Sequence, residues 1–549
     1  MKTITIGGKA GDGIKAAGKL FANILSQLGY YVFVLDDYPS LITGGHNFNK
    51  ISFDKKPIFS HYKETDVLIA LDKKTIDKHK KELKKNGIIL YDSNSFSYKG
   101  AIGIPAQDFV NEVGGIKIMR NVALLGALSY ALGIDFKIVK SVLKKVYPEK
   151  ADKNIVIAQK GYTFAKENVK QILRLKKIGK PKEVMSGNTA IAYGAVRAGL
   201  DIYIAYPMTP ATSILHYLAK NSQKFKLKVV QPENEISVIN MALGSAYAGA
   251  KTMIGTSGGG FALMNEALSL AGMSETPIVV VECQRPGPST GVPTYTSQAD
   301  LNFVLNAGHG EFPKVVIAPG TNEQAYYKSA EALYLAWKYQ VPVILLSDKH
   351  LSESLKTFKV KNLKKVKIKT SNGGKNYKRY LITKDGVSPI AFPGTKNTVV
   401  KASSYEHDEL GITTEEPEVV KKMQQKRLRK MKAIEKEVEK LEAVKVYGKG
   451  KNVIVTWGSS IGAVLEAAKG LKNVKIVQII YMLPFPKKSV EKHLKNAKKI
   501  VCVEANATGQ LANLIKLNTG IEIKNKILKY DSREFEPIEL LNELKRWLK

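Results

Sequence analysis

The feature that most constrains this chain is an alternation of short apolar runs with helical periods that starts three separate times. In residues 1–175 the runs are TITIGG, YYVFVLD, VLIAL and IILYD, with a helix expected from about Ile14 to Leu28. A second series fills 186–355. It reads as helix over NTAIAYGAVRAG, strand DIYIAYP, helix ATSILHYLAKNSQKF and strand KLKVVQ, then a helix over about 235–250, strand TMIGTS, a glycine loop opening a helix, and strands PIVVVE and VPVILLSD. The third, 446–549, carries NVIVTWGSS, VKIVQII and KIVCVE. Alternation of this kind predicts α/β units with parallel sheets. Residues 176–185 (around KIGKPKE) read as a linker, and 356–445 as a Lys-rich connecting segment with a charged helix. That helix is expected to be solvated or bridging, because its apolar positions are too few for a lipid-facing stripe. No repeat of solenoid period is present.

Several domains are expected from 549 residues. The apolar runs fall well short of the ~20 residues that cross a bilayer, and the start MKTITIGGKAGDG has no signal-peptide core, so a cytoplasmic chain without membrane partners is expected. Two cysteines, Cys283 and Cys502, cannot make a disulfide framework, a CxxC zinc site or a four-thiolate cluster. Any iron–sulfur cluster therefore belongs to a partner. Lys and Arg number 85 against 49 Asp and Glu, a formal net charge of +36. This raises the alternative of a basic nucleic-acid-associated protein. The lysines are spread along the whole chain and no RNP, zinc-finger or helix-turn-helix pattern accompanies them. A Lys-rich surface that aids solubility or attracts acidic subunits accounts for the charge, and nucleic acid is not an expected partner.

Four motifs sit where strands meet helices. GGKAGDG (7–13) departs from G-x-G-x-x-G and reads as a tight turn between strand and helix; as a diphosphate motif it lacks the asparagine expected downstream, the next ones after Asn23 being Asn47 and Asn49. YPMTP (206–210) follows a strand, with Thr209 readable as an N-cap and Pro210 as the first helical residue. QPENE (231–235) places Glu233 and Glu235 at a helix start, and GTSGGG (255–260) is a glycine loop. Three successive strand ends bearing a threonine, a carboxylate and a glycine loop predict one composite site at the carboxyl edge of a parallel sheet.

With these in hand, YPMTP, QPENEISVINMALGSAYAGAKTMIGTSGGGFALMNEALSLAG and QRPGPSTGVPTYTSQADL together resemble the alpha subunit of 2-oxoacid:ferredoxin oxidoreductases. SPIAFPG, YEHDELG and VEANATGQL extend the resemblance toward the C-terminus, and GGKAGDGIKAAG with YPSLITGGHN resembles the gamma domain fused in front of many such chains. The resemblance implies a gamma-type domain, a thiamine diphosphate pyrimidine-binding central domain and a transketolase-C-like terminal domain. It implies a beta subunit that holds the diphosphate, Mg²⁺ and [4Fe-4S] cluster, leaving no metal on this chain. The implied reaction is coenzyme A-dependent oxidative decarboxylation of a 2-oxo-acid, with electrons passing to ferredoxin. An aryl-pyruvate ferredoxin oxidoreductase is the related alternative, but those alpha chains carry ferredoxin-like cysteines that are missing here.

The family's carboxylate on the aminopyrimidine N1′, which favours the imino tautomer that accepts the C2 proton, matches Glu235 better than Glu233. Pro207, Ser257 and Gly258 are the further cofactor contacts implied. Tyr206, Thr209, Arg285, Thr43 and Tyr295 are the implied substrate contacts, with Thr209 at the oxo-acid head. Thr43, Tyr295 and Ile390 stand where many relatives have a basic residue, so a substrate less polar than 2-oxoglutarate, such as pyruvate, is expected. Cys283 is expected to be a buried small residue and His407 to cap a turn.

Overall fold

The computed structural model describes residues 1–40 and 45–548; Thr43 lies outside the described residues. The chain divides into two compact units, 1–186 with 353–360 and 536–540, and 187–352 with 361–535 and 541–549.

The first unit is built on an eight-stranded sheet. Lys2–Gly8, Thr65–Ala70, Leu83–Asp92 and Ile102–Ile104 pair in parallel, whereas Asn47–Asp54, Tyr31–Asp37, Leu355–Phe358 and Glu183–Ser186 continue the sheet antiparallel. The expectation of a parallel sheet therefore holds for one half only. Asn47–Asp54 (NFNKISFD) escapes a hydropathy reading because its buried polar groups find partners far away in sequence: Lys50 Nζ lies 2.7 Å from Glu82, and Asn49 donates to Asp36. The expected linker ends in a strand, Glu183–Ser186, that pairs with Leu355–Phe358. GGKAGDG is indeed a turn. Asp12 accepts the Lys9 N–H at 2.9 Å and pairs with Arg120 at 2.7 Å, while Gly13 takes a left-handed φ of 74° just before helix Ile14–Gln27.

The second unit holds a seven-stranded and a five-stranded sheet that share one apolar core. In the larger sheet six strands are parallel, in the spatial order Val315–Ile317, Pro342–Asp348, Ile278–Gln284, Thr252–Thr256, Ile202–Ile204, Lys228–Val230. Their β-branched runs are buried on both faces, as parallel sheets require. From Ile202–Ile204 the chain moves outward to Lys228–Val230, and from the adjacent Thr252–Thr256 it moves the opposite way to Ile278–Gln284. That divergence is a topological switch point, which opens a crevice at the carboxyl ends of the two strands.

The charged helix, Pro417–Val438, follows the bridging expectation rather than the solvated one: one face is exposed and the other is buried. Lys426, Arg427 and Lys430 are buried on it: both lysines pair with the fully buried Glu275, Lys426 at 2.5 Å, and Arg427 makes a two-pronged pair with Glu406. Hydropathy counts lysine as polar; here its partner comes from a distant segment.

Candidate active site

The switch point gathers three strand ends. After Ile202–Ile204 the chain runs through the exposed Tyr206 and Pro207 to Thr209 and a cis Thr209–Pro210 bond. The next helix starts only at Thr212, so Thr209 does not cap it. Two other residues fix this turn instead: Asn188 Nδ2 donates to the Pro210 carbonyl at 2.7 Å, and Arg285 donates to the Thr209 carbonyl at 2.9 Å. Thr209 and Arg285, far apart in sequence, are thereby brought together.

After Lys228–Val230, Asn234 caps helix Glu235–Tyr247 by accepting the Ser237 N–H at 2.9 Å, which places Glu235 in the first turn. A carboxylate there is favoured by the helix dipole. Glu235 is only 4% exposed, and among the described residues its Oε1 has no hydrogen-bond partner. Glu233 faces solvent and is occupied by the Ser237 hydroxyl.

After Thr252–Thr256, Ser257 is buried with its Oγ unpartnered among the described residues, and helix Gly258–Leu263 follows. Two glycines there are needed for close approach. A Cβ on Gly260 would lie 2.5 Å from Glu235 Oε1 and 2.1 Å from Thr256 Oγ1, and one on Gly258 would lie 2.8 Å from Asp300 Oδ2. The glycine loop is thus packed directly onto the Glu235 carboxylate. Gly260 is the residue the sequence reading passed over, although the GTSGGG run contains it.

On the neighbouring strand, Glu282 pairs in register with Thr256 and is fully buried, with neither carboxylate oxygen bonded among the described residues. Burial, with Asp300 and Asp348 nearby, lifts its carboxyl well above the usual range. Burial alone raises Asp300 to about 6. No local motif singled out Glu282, since IVVVE reads simply as a strand.

The turn after Ile278–Gln284 folds back on itself, with Val292 N–H on the Pro286 carbonyl at 3.0 Å and Tyr295 N–H on the Val292 carbonyl at 3.2 Å. Tyr295 carries a cation from another part of the chain: the Arg533 guanidinium lies 3.5 Å from its ring centroid. Ile390 is away from this edge, buried in a bridge to Thr370. Cys283 is buried as expected and donates to Asn188, while the Nδ1 of His407 bonds the Tyr405 carbonyl.

The switch point thus brings together a buried carboxylate, a glycine loop and a threonine turn held by an arginine. Residues 193–426 match the family model described as pyruvate flavodoxin/ferredoxin oxidoreductase, thiamine diphosphate-binding. Residues 3–164 match pyruvate ferredoxin/flavodoxin oxidoreductase, and 450–540 match core domain II of pyruvate:ferredoxin oxidoreductase. The 2-oxoacid:ferredoxin oxidoreductase subunit alpha of Saccharolobus solfataricus is 34% identical over 96% of this chain and 95% of its own length. The 2-oxoglutarate oxidoreductase subunit KorA of Mycobacterium tuberculosis is 28% identical, covering 95% of this chain and 88% of its own. A solved structure of 2-oxoglutarate:ferredoxin oxidoreductase from Magnetococcus marinus, with 2-oxoglutarate, coenzyme A and succinyl-CoA bound, superposes with a TM-score of 0.90 at 31% identity, covering 100% of this chain and 99% of that one. The chain belongs to the alpha-subunit family of 2-oxoacid:ferredoxin oxidoreductases.

Proposed function

We propose that this chain supplies the pyrimidine-binding half of a thiamine diphosphate site in a two-subunit, coenzyme A-dependent 2-oxo-acid:ferredoxin oxidoreductase of the cytoplasm. The observation that carries the reading is Glu235. A buried carboxylate oxygen without a partner costs several kcal/mol unless something supplies a donor, and the protonated N1′ of an aminopyrimidine is such a donor. Ser257 Oγ offers a second free polar atom, and Gly258 and Gly260 keep the approach clear of side chains. Bound thiamine diphosphate supplies the electron sink that decarboxylation of a 2-oxo-acid needs. Glu235 would hold a proton at N1′, and Pro207 would bound the ring's space.

The rest of the edge suits a 2-oxo-acid. Burial makes the Arg285 guanidinium somewhat easier to deprotonate than usual, yet it stays charged; one N–H is on the Thr209 carbonyl, and among the described residues no carboxylate pairs with it. The Thr209 hydroxyl would meet the oxo group, with Tyr206 and Tyr295 as walls.

A beta subunit would bring the diphosphate, Mg²⁺ and [4Fe-4S] cluster, and electrons would leave it for ferredoxin. Two features support this division. Tyr206, Ile236, Leu263 and Val292 expose apolar side chains on the residues that follow these strand ends, a surface suited to a protein partner. Both cysteines are buried on strands of different sheets, Cys283 bonded to Asn188 and Cys502 to Glu504. Among the described residues no helix is long and apolar enough to cross a membrane.

The test is reconstitution. Co-purified with its beta subunit, the chain should oxidise a 2-oxo-acid with coenzyme A and reduce ferredoxin; alone, it should do neither and show no visible iron–sulfur absorbance. A brown, cluster-bearing preparation of the single chain would overturn the division.

A further inference from the structure

We propose that Arg533 is a specificity-determining residue, binding the carboxylate at the far end of a dicarboxylic 2-oxo-acid; this rests on the function proposed above. At 3.5 Å from the Tyr295 centroid, its guanidinium is at face-to-face stacking distance. Stacking occupies the flat faces of the group and leaves its N–H edges directed outward, the fork geometry that matches a carboxylate. One edge donates to the Ser532 carbonyl at 3.3 Å. Among the described residues no carboxylate pairs with the guanidinium: the neighbouring Asp531 is paired with Lys529 at 2.8 Å and meets Arg533 only through its backbone N–H, at 3.0 Å. Arg533 is exposed, so the cation is held in place, hydrated and available.

Its position follows from the turn below it. Tyr295 bonds back to Val292, Val292 to Pro286, and the residue before Pro286 is Arg285, which holds Thr209. Arg285 and Arg533 therefore stand at the two ends of one short folded turn, with the Tyr295 ring as the platform of the second. A ligand with one carboxylate uses one of these cations. A 2-oxo-acid with a second carboxylate a few bonds away can use both. Tyr295 read by itself suggests a pocket without a cation, hence a less polar substrate. The stacked pair reverses that expectation, because the tyrosine carries a cation instead of replacing one.

The phosphates of coenzyme A are the competing anion, and the experiment separates the two. With the reconstituted two-subunit enzyme at fixed ferredoxin, kcat/KM is measured for 2-oxoglutarate and for 2-oxopentanoate, which has the same chain length without the far carboxylate. The wild type, Arg533→Met and Arg533→Lys are compared, and the KM for coenzyme A is followed in each. The wild type should prefer 2-oxoglutarate. In Arg533→Met that preference should fall at least ~10-fold, mainly through KM for 2-oxoglutarate, and Arg533→Lys should recover part of it. An active enzyme whose preference is unchanged by Arg533→Met overturns the proposal. So does a raised KM for coenzyme A with the preference intact, which would assign the cation to phosphate. A wild-type complex that oxidises neither acid overturns the function itself.

Discussion

Two buried glutamates in the second unit make opposite use of the same side chain. Glu275 is 1% exposed and Glu235 is 4% exposed. Burial would raise the Glu275 carboxyl, but Lys430, Lys426 and Arg379 outweigh it and hold the group well below the usual carboxylate range. Every unit of its charge is answered from within the chain, and the answer ties helix Pro417–Val438 to the segment after helix Asn265–Met273. Glu235 has an oxygen without a partner among the described residues and a glycine packed against it, in the first turn of its helix. A buried charge paired in place is architecture; one left unpaired at a switch point is what the proposed function reads as a binding group.

The contrast is broken most severely by exchanging each glutamate for glutamine. Glu235→Gln should cut turnover of the reconstituted enzyme about 10²–10⁴-fold, the usual loss on removing a positioned acid or base. The midpoint of urea denaturation should stay the same or rise, since a buried amide costs less than an unpaired carboxylate. Glu275→Gln should do the reverse. It strands buried cations and should cost about 3–5 kcal/mol of stability, read from denaturant curves. Lys426→Met should cost far less, because burial and competition with Lys430 already push this lysine down to about 7 and Glu275 keeps Lys430. Equal losses from the two would contradict the pairing drawn here.

The smallest effect sharpens the active-site half of the comparison. In the folded chain the Asp300 carboxyl titrates at about 6, against 3.8 ordinarily. Between those values the folded state keeps a proton that the unfolded chain has released, so this group makes stability fall as pH rises from about 4 to about 6. Asp300→Asn should remove that component, and the difference in denaturation midpoint between wild type and variant should grow in the variant's favour from pH 4 to pH 6.5. A pH-independent difference would place Asp300 in water.

What could be read from the sequence was what local pattern encodes. Strand runs, the strand-end positions of Thr209, Glu235 and Ser257, and the turn at GGKAGDG are all consequences of residues within a few positions of each other. What could not be read depends on partners far along the chain. Strand Asn47–Asp54 is hidden by polar residues that Glu82 and Asp36 satisfy, and the buried lysines of Pro417–Val438 look like a solvated face until Glu275 is seen between them. Thr209 looks like a cap because a helix follows soon after, yet Arg285 and Asn188 hold its turn. Arg533 belongs to no motif at all and meets Tyr295 only through the fold.

The central claim is that the Glu235 carboxylate serves the aminopyrimidine. The most direct measurement is the exchange rate of the C2 proton of thiamine diphosphate for deuterium, followed by NMR after rapid quench, in wild-type and Glu235→Gln complexes that bind the cofactor to the same extent. Exchange at least ~100-fold slower in Glu235→Gln is the predicted result. Equal rates would contradict the claim and reduce Glu235 to a carboxylate at a helix start.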